Sequence, residues 1–132
     1  MLQKNTWVSA LDNSGAHYCK IIGYKNLKGY IKVGATVIIS IQKLQRFIMH
    51  SKARRRTFKR MQTGQIYSGI VCVVRYPCQR LIGVNIKFFS NGLILLKKKT
   101  KNPVGNRIFG PLSLDLRLSG YSRFLVICYR VI

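Results

Sequence analysis

Carboxylates are almost absent from this chain. Asp12 and Asp115 are the only acidic residues among 132, against 24 lysines and arginines, so the net charge is +22. Hydrolysis by paired carboxylates needs two acids at one site, and magnesium prefers carboxylate oxygens, so both kinds of site are nearly excluded. A charge of this size repels itself and opposes compaction unless a polyanion neutralises it, which favours nucleic acid as the partner.

Long apolar runs are also missing. The longest uninterrupted aliphatic or cysteine run covers only residues 70–74, whereas a membrane-spanning helix needs about 18–20 apolar residues in a row. No long amphipathic pattern has one basic face, so we expect no membrane partner. Apolar residues still make up 48% of the chain, which is enough for the core of a single domain over residues 1–132.

Paired cysteine motifs are a third absence. The four cysteines contain no CxxC pair and lie mostly among aliphatic residues: Cys19, Cys72, Cys78 and Cys128. Structural zinc sites draw their ligands from closer, paired spacings, so we expect free thiols, no metal and no cofactor. Free thiols are typical of a reducing compartment. No basic, cleavable segment precedes the first strand-like run, which predicts a protein that is cytosolic or made inside the compartment where it works.

Short β-rich runs, separated by turn residues, make up most of the sequence. These runs are residues 6–10, 17–24, 26–34, 35–42, 65–76, 83–89 and 92–96. The longest is 65–76, which Pro77 ends, and the last two flank a Ser-Asn-Gly turn that predicts a hairpin. Because helical patterns do not alternate with these runs, the sequence favours a mainly β fold, a small closed β-barrel.

Two segments depart from this strand pattern. Residues 43–63 contain no glycine or proline, and a helical turn is predicted to begin at Leu44, with Phe47 and Ile48 on the same face. The middle of this basic insertion, residues 52–60, holds six cations and is expected to stay disordered or extended until it meets a polyanion. Near the C-terminus, Pro111 is predicted to be the first residue of a short helix that contains Asp115.

The stretch "LDNSGA", residues 11–16, holds one of the two acids. Asp12, Ser14 and His17 bring an acid, a nucleophile and a base within six residues, but the members of a catalytic triad normally come from separate segments. The favoured interpretation is a turn in which Asp12 or Asn13 accepts hydrogen bonds from nearby backbone N–H groups and Gly15 takes a positive φ. We therefore expect no catalytic residue here.

Clustered cations are the positive signal. The run "KKKTK", residues 97–101, follows a strand and precedes Asn-Pro, so it predicts a basic loop tip that contacts phosphate. Several aromatic residues are candidates for stacking on unpaired bases, although most are expected to be core. These aromatic residues are Tyr18, Tyr30, Tyr76, Tyr121 and Phe58.

The stretch "VGNRIFGPLSLDLR", residues 104–117, is unusually specific. Together with "LDNSGA" it resembles the universal large-subunit ribosomal protein fourteen family, in which an "ADNSGA"-like and a "GTRIFGP…ELR"-like stretch lie about ninety residues apart. Between them, "GIVCVVR" (69–75) and "IKFFSNGLILL" (86–96) look like paired strands of that family. The chain departs from the family pattern at Ala35, at Ile82–Gly83 and in the longer segment 43–63.

This resemblance implies a five-stranded barrel with a projecting β-ribbon and short C-terminal helices. It also implies binding to large-subunit rRNA and to neighbouring large-subunit proteins, near the face that meets the small subunit, with contact to small-subunit rRNA at an intersubunit bridge. The positions expected to bind RNA are Lys52, Arg54, Arg55, Arg56, Lys59, Arg60, Lys97, Lys98, Lys99, Lys101 and Arg107. The positions expected to form structural turns are Asp12, Asn13, Gly15, Gly105, Gly110 and Pro111.

Divergence this strong resembles an organellar copy, and a mitochondrial ribosome is favoured over a plastid one because plastid copies stay closer to the bacterial pattern. Two other functions remain open at this stage. A free-standing, OB-like module for single-stranded nucleic acid would present exposed aromatic rings on one sheet face. An RNA-hydrolysing enzyme would need an acid and a base that converge, and only His17 and His50 are available as bases.

Overall fold

The computed structural model describes residues 2–25, 30–45, 61–80, 82–98 and 100–132. These residues form nine strands, a 3₁₀ helix at Leu114–Leu116 and a short α-helix, α1, at Ser122–Ile127. The strands are β1 (Trp7–Ala10), β2 (Ala16–Tyr24), β3 (Thr36–Leu44), β4 (Ile66–Val73), β5 (Cys78–Gln79), β6 (Asn85–Ile86), β7 (Gly92–Leu96), β8 (Ile108–Leu112) and β9 (Cys128–Val131). None of the described helices is long and apolar enough to cross a membrane.

Five strands close into a barrel in the order β1-β2-β3-β4-β7, which confirms the predicted mainly β, closed-barrel fold. Val8 of β1 lies opposite Cys19 of the antiparallel β2, while Ser9 of β1 lies opposite Gly92 of the parallel β7. This last pairing joins the two ends of the sheet. Closure leaves no free sheet edge in the barrel, so its backbone hydrogen-bonding groups are paired on both sides.

The barrel has an inner and an outer core. Every second residue of β3 points inward, and Val37, Ile39 and Ile41 are fully buried. Strand β7 and residues 69–73 of β4 are buried on both faces, because their outward side chains pack beneath the C-terminal segment. This outer core consists of Ile70, Cys72, Ile94, Leu96, Ile108, Leu112, Leu116 and Phe124. Two-sided burial explains why the two strands read as nearly continuous apolar runs rather than alternating ones.

The predicted hairpin between 83–89 and 92–96 is wrong. Within the first run only Asn85–Ile86 is a strand, and it pairs with Cys78–Gln79 as a two-stranded ribbon. Strand β7 pairs with β4 on one side and β1 on the other, so no edge remains for residues 83–89. Beside the barrel, the described residues form two two-stranded sheets, β5–β6 and β8–β9.

Two other predicted strands also differ from the structure. The run 65–76 forms a strand only over Ile66–Val73, so β2 and β3, with nine residues each, are longer. Of the run 26–34, the first four residues lie outside the described part, and the rest form a turn rather than a strand. Gly34 has a φ of 84° in that turn, and only an isolated bridge joins Ile31 to Leu2.

The predicted helix start at Pro111 is wrong. Pro111 lies in β8 opposite Arg130 of β9, and the 3₁₀ helix begins three residues later. Ser113 caps this helix, with its hydroxyl accepting from the Asp115 N–H at 3.4 Å. Serine is a favoured capping residue, whereas proline, which lacks a backbone donor, is tolerated at the edge of a two-stranded sheet. Asp115 does lie inside the helix, as predicted.

The predicted helical turn at Leu44 is also wrong. Leu44 is the last residue of β3, where it lies opposite Ala16 of β2. The side chains that were expected to share a helical face with it, Phe47 and Ile48, lie outside the described residues. The basic block 52–60, with Phe58 inside it, and His50 also lie outside them.

Candidate nucleic-acid interface

The two most specific sequence stretches, residues 11–16 and 104–117, meet in space. The Phe109 N–H donates to the Leu11 carbonyl at 2.6 Å, and the Asn13 N–H donates to the Arg107 carbonyl at 3.1 Å. The Arg107 N–H in turn donates to Asn13 Oδ1 at 3.1 Å. We call this set of contacts between residues 11–13 and 105–109 the clasp. The clasp thus joins two stretches that are far apart in sequence.

Gly105 allows the two sides of the clasp to approach closely. A Cβ added at this glycine would lie 2.5 Å from Asn13 Oδ1 and 3.0 Å from the Asn13 backbone nitrogen. Both distances are shorter than an ordinary van der Waals contact, so any larger residue would push residue 13 away. This is a packing requirement rather than a requirement for an unusual φ.

We expect Gly105→Ala to lower the free energy of unfolding by about 1–3 kcal/mol, because the new methyl group overpacks the clasp. Urea denaturation measures the loss. Gly23→Ala is the matched control, since a Cβ at that strand position would meet no atom within 4 Å. Equal stability of the two variants would contradict the account of the clasp.

Asp12 lies at the base of the clasp and is completely buried. Its Oδ1 accepts a hydrogen bond from the Ser14 hydroxyl at 2.6 Å, whereas Oδ2 has no hydrogen-bond partner within the described structure. Gly15 follows with a φ of 101°, so residues 12–15 form a turn. Of the two acceptors that were predicted to bind backbone N–H groups, Asp12 binds a hydroxyl instead, whereas Asn13 Oδ1 accepts from the backbone N–H of Arg107, which is distant in sequence.

Burial raises the pKa of the Asp12 carboxyl from its ordinary value of 3.8. The Ser14 hydroxyl and the nearby amides of Leu95, Gly105 and Ser14 oppose this rise, although none of those amides completes a hydrogen bond to Oδ2. The fold thus favours the protonated form of the Asp12 carboxyl more than water does.

The raised pKa of Asp12 should make its contribution to the free energy of unfolding smaller as the pH rises. A folded-state pKa above the unfolded value gives a stabilising contribution that is present below the unfolded pKa and is lost as pH rises through the folded pKa. We expect the free energy of unfolding of the wild type, relative to Asp12→Asn, to decrease as the pH rises above the ordinary carboxyl pKa of 3.8. Urea unfolding of both proteins at each pH measures the difference. A difference that stays constant or increases would show that folding does not raise the pKa of Asp12.

The alternative of a local triad is not supported by the hydrogen bonds. The Ser14 hydroxyl donates directly to Asp12, and no hydrogen bond of the described residues joins His17 to either of them. His17 is exposed, and its ring lies 4.3 Å from the ring of Tyr18. The three groups do not form a chain from acid to base to nucleophile.

The lysine run after β7 forms a tight turn at the surface. The Lys97 N–H donates to the Asn102 carbonyl at 3.0 Å, and the Thr100 N–H donates to the Lys97 carbonyl at 3.3 Å. Lys97, Lys98 and Lys101 are all exposed. The other predicted RNA-binding cations of the two lysine- and arginine-rich runs lie outside the described residues: Lys52, Arg54, Arg55, Arg56, Lys59, Arg60 and Lys99.

Arg107 projects from a fixed point of the clasp. Its backbone N–H and carbonyl both bind Asn13, while its side chain is exposed. Three residues further on, at a register shift of the β8–β9 pair, Gly110 has a φ of 88° and Pro111 is exposed. The structure thus places the basic side chain of Arg107 on a short, well-anchored segment.

The described residues include no group of three or more possible metal-ligating side chains. All four cysteines are free, and Cys19 and Cys72 are buried. Burial, together with the nearby Asp12 carboxylate, raises the pKa of the Cys19 thiol to about 12, so this thiol stays protonated at neutral pH. The pKa of the Cys72 thiol is also raised, mainly by burial.

An outward-facing group of side chains beside β1 includes one predicted stacking candidate, Tyr18, and three side chains that were not predicted, Trp7, Arg75 and Phe89. Trp7 is half exposed, Phe89 is fully exposed, and both line one shallow cleft with Arg75 and Tyr18. The signal for Trp7 was the alternation along β1, since Val8 is the inward residue of that strand. No local pattern identified Phe89, because the run around it was assigned to a hairpin.

Together, the closed barrel, the clasp and the exposed cations define a small, strongly basic β-barrel protein. The family model for ribosomal protein L14p/L23e matches residues 1–132. The chain belongs to this family, whose members are structural, non-enzymatic proteins of the large ribosomal subunit that serve translation.

Proposed function

We propose that the chain binds large-subunit rRNA through contacts between its lysine and arginine side chains and backbone phosphates. The observation that carries this proposal is the state of the two acids. Asp12 is buried, and Asp115 pairs with Arg80 at 3.2 Å. No carboxylate is therefore left to neutralise the outward cations, and phosphate is the counter-charge that a ribosome supplies.

Two exposed regions are assigned to this contact among the described residues. One is the lysine turn after β7, with Lys97, Lys98 and Lys101, and the other is Arg107 on the clasp. A guanidinium can bind phosphate with two parallel hydrogen bonds, which suits Arg107 because its backbone is held in place. We include Lys99 and the cations of residues 52–60 in the proposed phosphate contact because of their place in the basic runs of the sequence.

A neighbouring large-subunit protein is proposed to contact the C-terminal strand. In the described part of the chain, β9 pairs only with β8, so its other edge offers backbone donors and acceptors to another strand. Tyr129 of β9 is 93% exposed, and Val126 in the preceding helix α1 is 86% exposed. Exposed apolar side chains next to a strand edge are typical of a protein contact rather than a phosphate contact.

Following the family resemblance, we also propose that the protein lies near the face that meets the small subunit and contacts small-subunit rRNA there.

We propose that the ribosome is mitochondrial. The near-absence of acids and the departures from the family pattern support an organellar copy, and free thiols suit a reducing compartment. Quantifying the chain by mass spectrometry in purified mitochondrial, plastid and cytosolic ribosomes tests this assignment. Recovery from plastid or cytosolic ribosomes would contradict it.

The rRNA assignment is tested by binding of the full chain to a folded large-subunit rRNA fragment at several salt concentrations. If six or more phosphates are contacted, affinity should fall by about 10³-fold or more between roughly 50 and 200 mM salt. An unstructured RNA of equal length is the control. Equal or tighter binding to the unstructured RNA would favour the alternative of a free-standing single-strand module.

A further inference from the structure

A shallow cleft of about 420 Å³ lies on the outer surface of β1 and β2. Trp7 and Tyr18 form part of its wall, since the outward Ser9 of β1 lies opposite Tyr18 of β2. Phe89 and Arg75, from two loops at the end of the barrel, complete the wall. Three aromatic side chains and a guanidinium thus surround one opening.

The loop that carries Phe89 is held in place on both sides. Before it, the Phe88 N–H donates to the Val74 carbonyl at 3.2 Å. After it, Asn91 Oδ1 accepts from the Arg75 N–H at 2.8 Å, and the Asn91 carbonyl accepts from the Ser9 hydroxyl at 2.9 Å and the Ser9 N–H at 3.0 Å. This loop therefore has a defined conformation.

Phe89 is nevertheless fully exposed, at 102% of its reference area. A phenylalanine fixed outward contributes no buried area to the free protein, so its exposure costs free energy without any return in folding. Trp7 is 51% exposed beside it. Because the backbone of this loop is fixed, the ring is already presented at the surface and little backbone entropy is lost when a flat ligand binds.

We propose that this cleft binds one unpaired nucleotide of RNA, with the base stacked on the rings of Phe89 and Trp7 and the phosphate bound by Arg75. The inference deepens the proposed rRNA binding and depends on it. Stacking on aromatic rings is how proteins hold unpaired bases, and the guanidinium supplies the charge that the phosphate needs.

The charges around the cleft favour an anionic ligand such as a nucleotide over a basic peptide. Lys20 lies opposite Trp7 in the β1–β2 register and adds a second cation to Arg75. No carboxylate lies at the cleft, since Asp12 is buried and Asp115 binds Arg80 in the C-terminal segment. A basic peptide would therefore be repelled, whereas a phosphodiester would be attracted.

The sole tryptophan of the chain, Trp7, reports directly on the cleft by fluorescence. The probes are a short single-stranded oligouridylate, an abasic oligonucleotide of the same length and a duplex RNA. We expect the oligouridylate to quench the Trp7 emission, because its bases stack on the ring. The abasic strand and the duplex should bind through their phosphates and leave the emission nearly unchanged.

Substitutions at Phe89 separate stacking from apolar contact. Phe89→Ala and Phe89→Leu should weaken oligouridylate binding by about 5- to 150-fold, whereas Phe89→Tyr should retain the wild-type affinity. None of the three removes a cation, so the slope of log affinity against log salt should stay the same. Ile82→Ala, which also truncates a highly exposed apolar side chain (86%), is the control and should bind normally.

The results of these experiments distinguish the nucleotide cleft from rRNA binding in general. Because Phe89 packs against nothing, its variants should unfold at the wild-type temperature, and a loss of binding cannot be ascribed to misfolding. RNA binding with unchanged Trp7 emission and normal affinity of Phe89→Ala would overturn the nucleotide cleft and leave rRNA binding intact. Failure of all RNAs to bind would overturn both. If the Trp7 emission were quenched only in the assembled particle, because a neighbouring protein contacts the ring, the cleft assignment would also be overturned.

Discussion

Replacing the six cations of residues 52–60 with glutamine is expected to flatten the slope of log affinity against log salt by roughly 3–4 units. This value follows if about four of the six side chains reach phosphate, since each contact releases a condensed counterion. Such a block does not belong in a core, because burying unpaired charges costs several kcal/mol for each. The residues to replace are Lys52, Arg54, Arg55, Arg56, Lys59 and Arg60.

The measurement is binding to a large-subunit rRNA fragment at several salt concentrations. A matched control exchanges lysine for arginine, and arginine for lysine, at the same six positions. This control keeps the charge and should keep nearly the wild-type slope, because counterion release depends on charge. Parallel lines for the wild type and the glutamine variant would show that the block faces solvent or protein, and the RNA assignment for it would be wrong.

Phe124→Ala is expected to lower the free energy of unfolding by about 3–5 kcal/mol, the range for a fully buried phenylalanine. The side chain is 1% exposed, and its ring stacks on that of Tyr121 at a centroid distance of 5.6 Å. It belongs to the outer core, together with Leu112 and Leu116. Its loss should release α1 and β9 from the barrel before the barrel itself unfolds, because the inner core does not include Phe124.

Urea denaturation gives the total loss, and amide hydrogen exchange locates it. Val126→Ala in the same helix is the control, because Val126 is 86% exposed and its truncation should change stability by less than about 0.5 kcal/mol. Uniformly faster exchange in all barrel strands would contradict the division into an inner and an outer core. A Phe124→Ala protein as stable as the control would show that the outer core adds little.

The barrel was predictable because its strands carry a local signal. Runs of β-branched residues such as residues 35–42, bounded by glycine and polar turns, favour strands over helices. The pairing of β7 was not predictable in the same way. A Ser-Asn-Gly turn indicates a hairpin to the preceding run, but burial of β7 on both faces commits it to β4 and β1 instead.

The candidate site was predictable in its chemistry but only partly in its arrangement. Composition alone indicated phosphate contacts, because two acids cannot balance 24 cations. The clasp between Asn13 and Arg107 could not be derived from local pattern, since it depends on loops that the whole barrel brings together. The exposure of the Phe89 ring could not be predicted for the same reason. Its loop is held through Asn91, which binds Ser9 and Arg75, and both of these residues are distant in sequence.

The most direct test of the central claim, that this chain is an rRNA-bound constituent of the large ribosomal subunit, is sedimentation of ribosomal subunits after a high-salt wash. The wash removes loosely attached basic proteins, because weak phosphate contacts are lost as salt rises. The account predicts that the chain co-migrates with the large subunit after the wash. Recovery at the top of the gradient, or only with the small subunit, would contradict it.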